Sequence, residues 1–151
     1  MKSEVTKRIV DALRAALGER LIAVVLFGSH ARGDADEDSD WDLLVIAQGL
    51  PEDAWDRHLF FVNSMPIDCR SGISIVARTP EEFEMRITPL DLDIALDGEI
   101  LFDPQQYAEE KLNYIKELIK DSGLYRERTE AGDLWQWEKQ PTGPWALEWE
   151  K

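Results

Sequence analysis

Two short apolar runs joined by a polar segment constrain this chain more than any other feature. The first run, residues 21–27, ends in the pair Gly28-Ser29, and ten residues separate that pair from Asp40 at the start of the second run. Because residues i and i+2 of a strand project from the same face, Asp40 and Asp42 are expected to point together. Two neighbouring carboxylates repel each other unless a cation lies between them, and their hard oxygens suit Mg²⁺. A turn of backbone N–H groups beside such an ion is suited to holding a nucleoside triphosphate.

Length and composition place the chain among globular proteins with one domain. It has 151 residues, of which 44% are hydrophobic and 32% charged, values typical of a protein with an ordinary buried core. No apolar stretch approaches the length of a membrane span. The single cysteine, Cys69, excludes an internal disulfide and a cysteine-rich zinc site. We therefore expect a cytoplasmic protein that does not bind a membrane.

The charge balance argues against a long nucleic acid as a partner. The formal net charge is −14, whereas binding to a polyanion depends on Lys and Arg side chains that neutralise phosphates. Two interpretations of the acidity remain open. It could steer the chain toward a basic protein partner, or it could serve only to keep the protein soluble.

Hydrophobic periodicity predicts helices and strands in alternation. Thr79 to Glu82 has the pattern of a capping box, with proline at the first helical position, so a helix is expected to begin there. The continuous apolar run of the first predicted strand indicates burial on both faces of a sheet. Further helices are predicted over residues 4–17, 51–63, 91–96 and 107–120, and strands over residues 21–27, 42–47, 73–77 and 99–102.

The motif resembles the signature of a known superfamily. A Gly-Ser turn, ten residues and then Asp-x-Asp, lying between two strand-like runs, is similar to the motif of the polymerase-β-like nucleotidyltransferases. The short chain suggests the minimal nucleotidyltransferases of bacteria and archaea, and the resemblance covers residues 21–103. It implies the nucleotidyltransferase fold, an α/β (α+β) architecture with a mixed, largely antiparallel twisted sheet flanked by helices. We expect this domain over residues 1–124, with a tryptophan-rich extension, residues 125–151, packed on it.

Nucleotidyl transfer gives each motif residue a chemical role. A hydroxyl attacks the α-phosphorus, pyrophosphate leaves, and two metal ions roughly 3.5–4 Å apart can stabilise the entering and leaving oxygens. Asp40 and Asp42 are the candidate catalytic and metal-binding carboxylates, with two Mg²⁺ ions in a fully active enzyme and ATP or another nucleoside triphosphate as substrate. Gly28 and Ser29 are the candidate phosphate-binding residues, because glycine admits the phosphate and serine can donate its hydroxyl.

Some of these residues have a simpler alternative. Arg32 either contacts phosphate, as a third nucleotide-binding residue, or forms a salt bridge to a neighbouring acid. The alternative for Asp40 and Asp42 is that they are ordinary surface acids in a turn. His30 is expected to be structural.

The third acid that the resemblance implies is missing. Counting back from the predicted helix start at Thr79, its position on the third strand falls on Ser74. Serine cannot supply negative charge to a metal or act as a base near neutral pH, and general-base catalysis typically contributes about 10²–10⁴-fold. Asp68 is the nearest substitute along the chain, whereas Asp91 and Asp93 are expected on a helix surface. The sequence therefore predicts nucleotide binding and leaves turnover open.

The resemblance also implies a partner and an acceptor. Minimal nucleotidyltransferases are often paired with a small helical HEPN-type ribonuclease toxin, which they neutralise by moving AMP from ATP to a tyrosine hydroxyl. Two alternatives stay open. Ser74 favours a weakened module that binds a nucleotide or a protein without turnover, whereas an antibiotic adenylyltransferase would need an acceptor-binding helical domain for which this chain has little room.

The last twenty residues carry four of the six tryptophans. Trp135 and Trp137 are spaced for one face of a strand, and Trp145 and Trp149 for one face of a helix. These rings are expected to fold back onto the domain. The alternative is a partner-binding segment, because aromatic side chains dominate interface energetics.

Overall fold

A four-stranded sheet forms the centre of the computed structural model, which describes residues 2–130, 132–139 and 147–149. The strands lie in the order β3-β2-β1-β4, with β3 parallel to β2 and both other pairs antiparallel. The predicted mixed, largely antiparallel sheet is therefore confirmed. The strands are β1 (Leu21–Phe27), β2 (Trp41–Ala47), β3 (Ile73–Arg78) and β4 (Glu99–Phe102).

Six α-helices accompany these strands in the described part of the chain. Two of them begin with complete capping boxes, at Thr79 and Thr88, each followed by proline, so the helix start predicted at Thr79 is confirmed. None of the helices described is long and apolar enough to cross a membrane. The helices are α1 (Lys2–Leu17), α2 (Ser29–Arg32), α3 (Ala54–Ser64), α4 (Pro80–Met85), α5 (Pro89–Asp97) and α6 (Tyr107–Ser122).

Both faces of the sheet are covered, which explains the continuous apolar runs of β1 and β2. Side chains at alternate positions, such as Leu44 and Ile46, pack with α4, α5 and α6. Their neighbours Leu43 and Val45 pack on the opposite face with α1 and α3. A strand with one solvent-facing side alternates apolar and polar residues, whereas a strand buried on both faces is apolar throughout.

A second, two-stranded sheet follows α6. The strands β5 (Leu124–Thr129) and β6 (Gly132–Trp137) form an antiparallel hairpin. The sequence predicts only the second of these strands. Trp135 and Trp149 pack against the core face that contains α5 and α6, whereas Trp145, half of the predicted helical pair, lies outside the described residues.

Candidate active site

The Gly-Ser turn joins β1 to the single helical turn of α2. Gly28 has a φ of +73° and a ψ of −157°, a mirror-image β conformation that glycine adopts readily and other residues disfavour. Its carbonyl oxygen accepts hydrogen bonds from the N–H groups of Ala31 and Arg32, at 3.1 and 3.0 Å. Gly33 ends the turn with a φ of +88°. The helical turn that contains Ser29 therefore begins after one glycine and ends at another.

Gly28 lies against the carboxylate of Asp42. A Cβ atom at position 28 would be only 2.3 Å from Oδ2 of Asp42, so close that the carboxylate would have to move. The motif predicts that this glycine allows phosphate to approach the backbone. The structure adds a second requirement, because the carboxylate itself occupies the space where a side chain would be.

The two acids of the motif share one electrostatic environment. Burial raises the pKa of the half-buried Asp42, the charge of Asp40 raises it further, and His30 and Arg32 act in the opposite direction. Both causes of the raised pKa penalise negative charge, so a cation would be favourable here. Mg²⁺ in proteins is commonly held by one or two carboxylates together with substrate phosphates. Asp40 and Asp42 therefore fit one Mg²⁺ ion bound with a triphosphate.

His30 connects the Gly-Ser turn to the strand that carries the acids. Its ring stacks on Trp41, with centroids 3.6 Å apart and planes 10° from parallel. Its Nε2 atom lies 3.1 Å from the carbonyl oxygen of Ser39, and a carbonyl only accepts, so Nε2 carries the proton. This side chain therefore holds the residues on either side of Asp40 against α2.

A local turn also fixes the acidic loop ahead of Asp40. The carboxylate of Asp36 accepts hydrogen bonds from the backbone N–H of Asp38 and the hydroxyl of Ser39, at 2.9 and 3.1 Å. The Ser39 hydroxyl also accepts a bond from the N–H of Asp36 at 3.0 Å. Such turns are a common use of aspartate in loops, and here they position the approach to β2.

Ser74 lies directly beside Asp42 in the sheet. In the parallel β2–β3 pair, Asp42 is in register with Ser74, so the two side chains project from the same face. Ser74 is exposed. The position at which the resemblance implies a third acid is thus adjacent to the motif, and it carries a hydroxyl.

The nearby acids do not replace the missing carboxylate. Asp68 accepts two hydrogen bonds from Arg8, at 2.9 and 3.0 Å, and these bonds lower its pKa. The prediction that Asp91 lies on a helix surface is wrong, because Asp91 is fully buried and pairs with Arg78 at 2.7 Å. Asp93 remains partly exposed but bonds to the hairpin that follows α6. Within residues 2–130, 132–139 and 147–149, no three His, Cys, Asp or Glu side chains are grouped to hold a metal.

Arg32 is held loosely by two carboxylates. Its Nε atom is 3.3 Å from Oδ2 of Asp34, and its Nη1 atom is 3.9 Å from Oδ2 of Asp97. The salt-bridge alternative for Arg32 is thus present, although the second distance is at the limit of an ion pair. The side chain is 31% exposed, so it remains accessible to a ligand.

Asp97 and Arg126 adjoin the site and were not identified from the sequence. Arg126 binds Asp97 through two hydrogen bonds, at 2.6 and 2.8 Å. Arg126 lies on β5, 29 residues after Asp97 in the chain. Residues so far apart form no local pattern in the sequence.

An open cavity of about 670 Å³ borders the other side of the motif. It runs between α3 and β3, and its lining includes Asp40 and Ser74. Apolar side chains such as Phe61 and Met65 contribute to its wall. The cavity therefore lies on the face of the sheet that packs with α1 and α3, and it meets the motif through Asp40 and Ser74 near the starts of β2 and β3.

The fold and the motif define a class that comparison with known proteins confirms. The family model of the nucleotidyltransferase domain matches residues 6–127. The chain belongs to this family.

Individual relatives agree with this assignment. The chain is 34% identical over 124 residues to a provisionally named protein adenylyltransferase of Methanocaldococcus jannaschii. The aligned region covers 80% of this chain and 84% of the relative. A toxin–antitoxin complex solved with AMP-PNP has a similar fold, with a TM-score of 0.55 and 20% identity over 77% of this chain and 87% of that chain. The complex of a tri-AMPylated Shewanella oneidensis HEPN toxin with its MNT antitoxin gives a TM-score of 0.53 and 19% identity, covering 80% of this chain and 88% of that chain.

Proposed function

We propose that this protein is a Mg²⁺-dependent nucleotidyltransferase that moves AMP from ATP to a hydroxyl group of another protein. The observation that carries the proposal is the Asp42 carboxylate, half-buried against Gly28 and electrostatically coupled to Asp40. The relative from M. jannaschii is named for protein adenylyl transfer, and a structure of similar fold was solved with AMP-PNP.

Each motif residue has a role in this reaction. Asp40 and Asp42 would hold Mg²⁺, which when bound neutralises phosphate charge and stabilises the pyrophosphate that leaves. Ser29 donates its hydroxyl to a β- or γ-phosphate oxygen, and the backbone of the Gly-Ser turn adds N–H donors. Arg32 turns from Asp34 toward the same phosphates, where its guanidinium can bind two oxygens at once.

The acceptor hydroxyl enters from the β3 side. In-line displacement requires the attacking oxygen opposite the leaving pyrophosphate. Asp40 and Ser74 border the cavity between α3 and β3, and we propose that this cavity admits the acceptor to the edge of the motif. Because Ser74 supplies neither a base nor a second metal ligand, we expect slow transfer in which one Mg²⁺ ion suffices for nucleotide binding.

We propose that the acceptor is a tyrosine of a HEPN-type toxin. A solved neighbour of similar fold is bound to a tri-AMPylated HEPN toxin. The net charge of −14 suits a basic protein surface, toward which it would steer association.

The second candidate function is a binding module that holds the nucleotide without turnover. Ser74, exposed and in register with Asp42, is the observation that favours it. Both candidates require Mg²⁺-dependent nucleotide binding, so they differ only in the transfer step.

Incubation with α-labelled ATP, Mg²⁺ and a candidate HEPN partner separates the two functions. We expect label on the partner that is lost in Asp40→Asn and in Asp42→Asn. Asp38→Asn, which removes an exposed acid of the same loop, is the matched control and should retain transfer. Metal-dependent binding without label on the partner would favour the module. No nucleotide binding at millimolar Mg²⁺ would contradict both.

A further inference from the structure

Asp97 lies where the site meets the hairpin formed by β5 and β6. It is the last residue of α5, and its side chain is 11% exposed. A carboxylate in the last turn of a helix faces the negative end of the helix dipole, which is unfavourable without a cation. Two arginines approach it from different elements, Arg126 from β5 and Arg32 from α2.

Arg126 binds Asp97 far more closely than Arg32 does. Its two nitrogens bind the two oxygens of Asp97 at 2.6 and 2.8 Å, the paired geometry that makes arginine–carboxylate contacts strong. Arg32 is 3.9 Å from the same carboxylate. Asp97 is therefore already neutralised by Arg126, and Arg32 is retained only by this distant contact and by the exposed Asp34 at 3.3 Å.

The hairpin holds Arg126 in place through further contacts. Arg126 also bonds to Asp93 at 3.3 Å, and the indole N–H of Trp135 donates to the same Asp93 oxygen at 3.0 Å. Asp133 lies 3.7 Å from the Nε atom of Arg126. With 17% of its side chain exposed, Arg126 is fixed beside α5.

At its other end, this network reaches the candidate metal site. Arg32 lies in the single helical turn of α2 that begins with Ser29, and its backbone N–H donates to the carbonyl oxygen of Gly28 at 3.0 Å. Arg32 therefore connects the Gly-Ser turn with Asp97 and Arg126.

We propose that Arg126 and Asp97 are positioning residues for Arg32: Arg126 occupies Asp97, and this leaves Arg32 free to bind the triphosphate. The proposal rests on the nucleotide-binding function above. Without Arg126, the unpaired carboxylate of Asp97 captures Arg32 and withdraws it from the phosphates. The hairpin, which contains none of the motif residues, thereby sets the affinity for nucleotide.

Binding of the non-reacting analogue α,β-methylene-ATP with Mg²⁺, measured by calorimetry, tests this role. We expect Arg126→Gln to raise the Kd about tenfold, because withdrawal of Arg32 removes a charge-assisted hydrogen bond to phosphate. Arg128→Gln is the matched control, since Arg128 is on the same strand and pairs with Asp133 without contacting Asp97. Equal Kd values for the two variants would overturn the proposal.

A second substitution separates positioning from structural support. Asp97→Asn removes the carboxylate that captures Arg32, so the double variant Asp97→Asn/Arg126→Gln should recover the Kd of the unaltered protein to within about twofold. Asp97→Asn alone should bind nucleotide no more weakly than the unaltered protein. A double variant as weak as Arg126→Gln, or weakened binding in Asp97→Asn, would show simple loss of structure and overturn the proposal.

The same measurement in an Arg32→Gln background completes the test. If Arg126 acts through Arg32, then Arg126→Gln has no further effect on the Kd once Arg32 is gone. An undiminished tenfold effect in that background would contradict the proposal. If the unaltered protein bound no nucleotide with Mg²⁺, the proposed function itself would fail, and this inference with it.

Discussion

Gly28 is fixed by two separate physical requirements at a single residue. Its backbone has a φ of +73° and a ψ of −157°, a region that is nearly restricted to glycine and costs another residue about 1–3 kcal/mol. In addition, a Cβ atom there would overlap Oδ2 of Asp42. Position 28 therefore controls both the turn and the placement of the acid.

Gly28→Ala should abolish Mg²⁺-dependent ATP binding, because the new methyl group displaces the Asp42 carboxylate. Gly33→Ala is the control for a turn glycine that lacks this contact. Gly33 has a φ of +88° in the αL region, and a Cβ atom there would meet nothing within 4 Å. Urea unfolding should show both variants destabilised, whereas calorimetry should show binding lost only in Gly28→Ala. Equal loss of binding in the two variants would mean that backbone strain alone is responsible.

Ser74 limits the chemical step in our proposal. Because it is in register with Asp42, position 74 is the place at which to restore the missing carboxylate. Ser74→Asp should raise the single-turnover rate of AMP transfer about 10²-fold, at the lower end of general-base contributions. Ser74→Asn adds a side chain of the same shape without charge and should give no increase. Rapid-quench measurement with labelled ATP would decide the matter, and an unchanged rate in Ser74→Asp would rule out this role for the position.

Among the elements, β3 and α5 are joined by a buried ion pair. Arg78 ends β3 and binds Asp91, whose side chain is fully buried in the first turn of α5. Asp91 also completes the capping box, because its carboxylate accepts the N–H of Thr88 at 3.0 Å. The pair therefore fixes the start of the helix that later presents Asp97.

Arg78→Met should lower the free energy of unfolding by about 3 kcal/mol, because it leaves a buried carboxylate without its cation. Arg8→Met breaks the exposed pair with Asp68 and should leave stability nearly unchanged. Chemical denaturation monitored by tryptophan fluorescence can compare the two. A small effect of Arg78→Met would indicate that Thr88 alone satisfies Asp91.

Particular elements show what the sequence can and cannot predict. The apolar run of β1, the capping box of α4 and the Gly-Ser turn are local patterns, so their elements follow directly from residue order. The burial of Asp91 depends on Arg78, thirteen residues away in another element, and helix periodicity cannot indicate such a partner. β5 was missed because its charged residues, Arg126 to Arg128, have the composition of a solvated loop.

The candidate site divides in the same way. Gly28, Ser29, Asp40 and Asp42 were predicted from spacing, since two strands and a turn place them at one end of the sheet. The ion pair between Asp97 and Arg126 was not predicted, because these residues meet through tertiary packing of α5 against the hairpin of β5 and β6. Motif residues near in sequence are thus recognisable, whereas the residues that position them need coordinates.

For the whole molecule, the dominant electrostatic property is the formal net charge of −14. Like charges at this density repel one another in the folded state, and salt screens that repulsion. Raising NaCl from about 10 to about 300 mM at neutral pH should therefore raise the Tm, by about 2–4 °C for each kcal/mol of repulsion removed. KCl at equal ionic strength should give the same shift in calorimetry. A Tm that falls with salt would mean that the ion pairs outweigh the net repulsion.

The contact between Gly28 and Asp42 couples the two halves of the motif in evolution. While Asp42 keeps its carboxylate against the turn, selection cannot accept a side chain at position 28. The backbone makes the same demand without the acid, because a φ of +73° with a ψ of −157° is a region that is nearly restricted to glycine. A descendant that keeps glycine at position 28 but has no acid at position 42 would therefore have kept the turn and lost the candidate metal site.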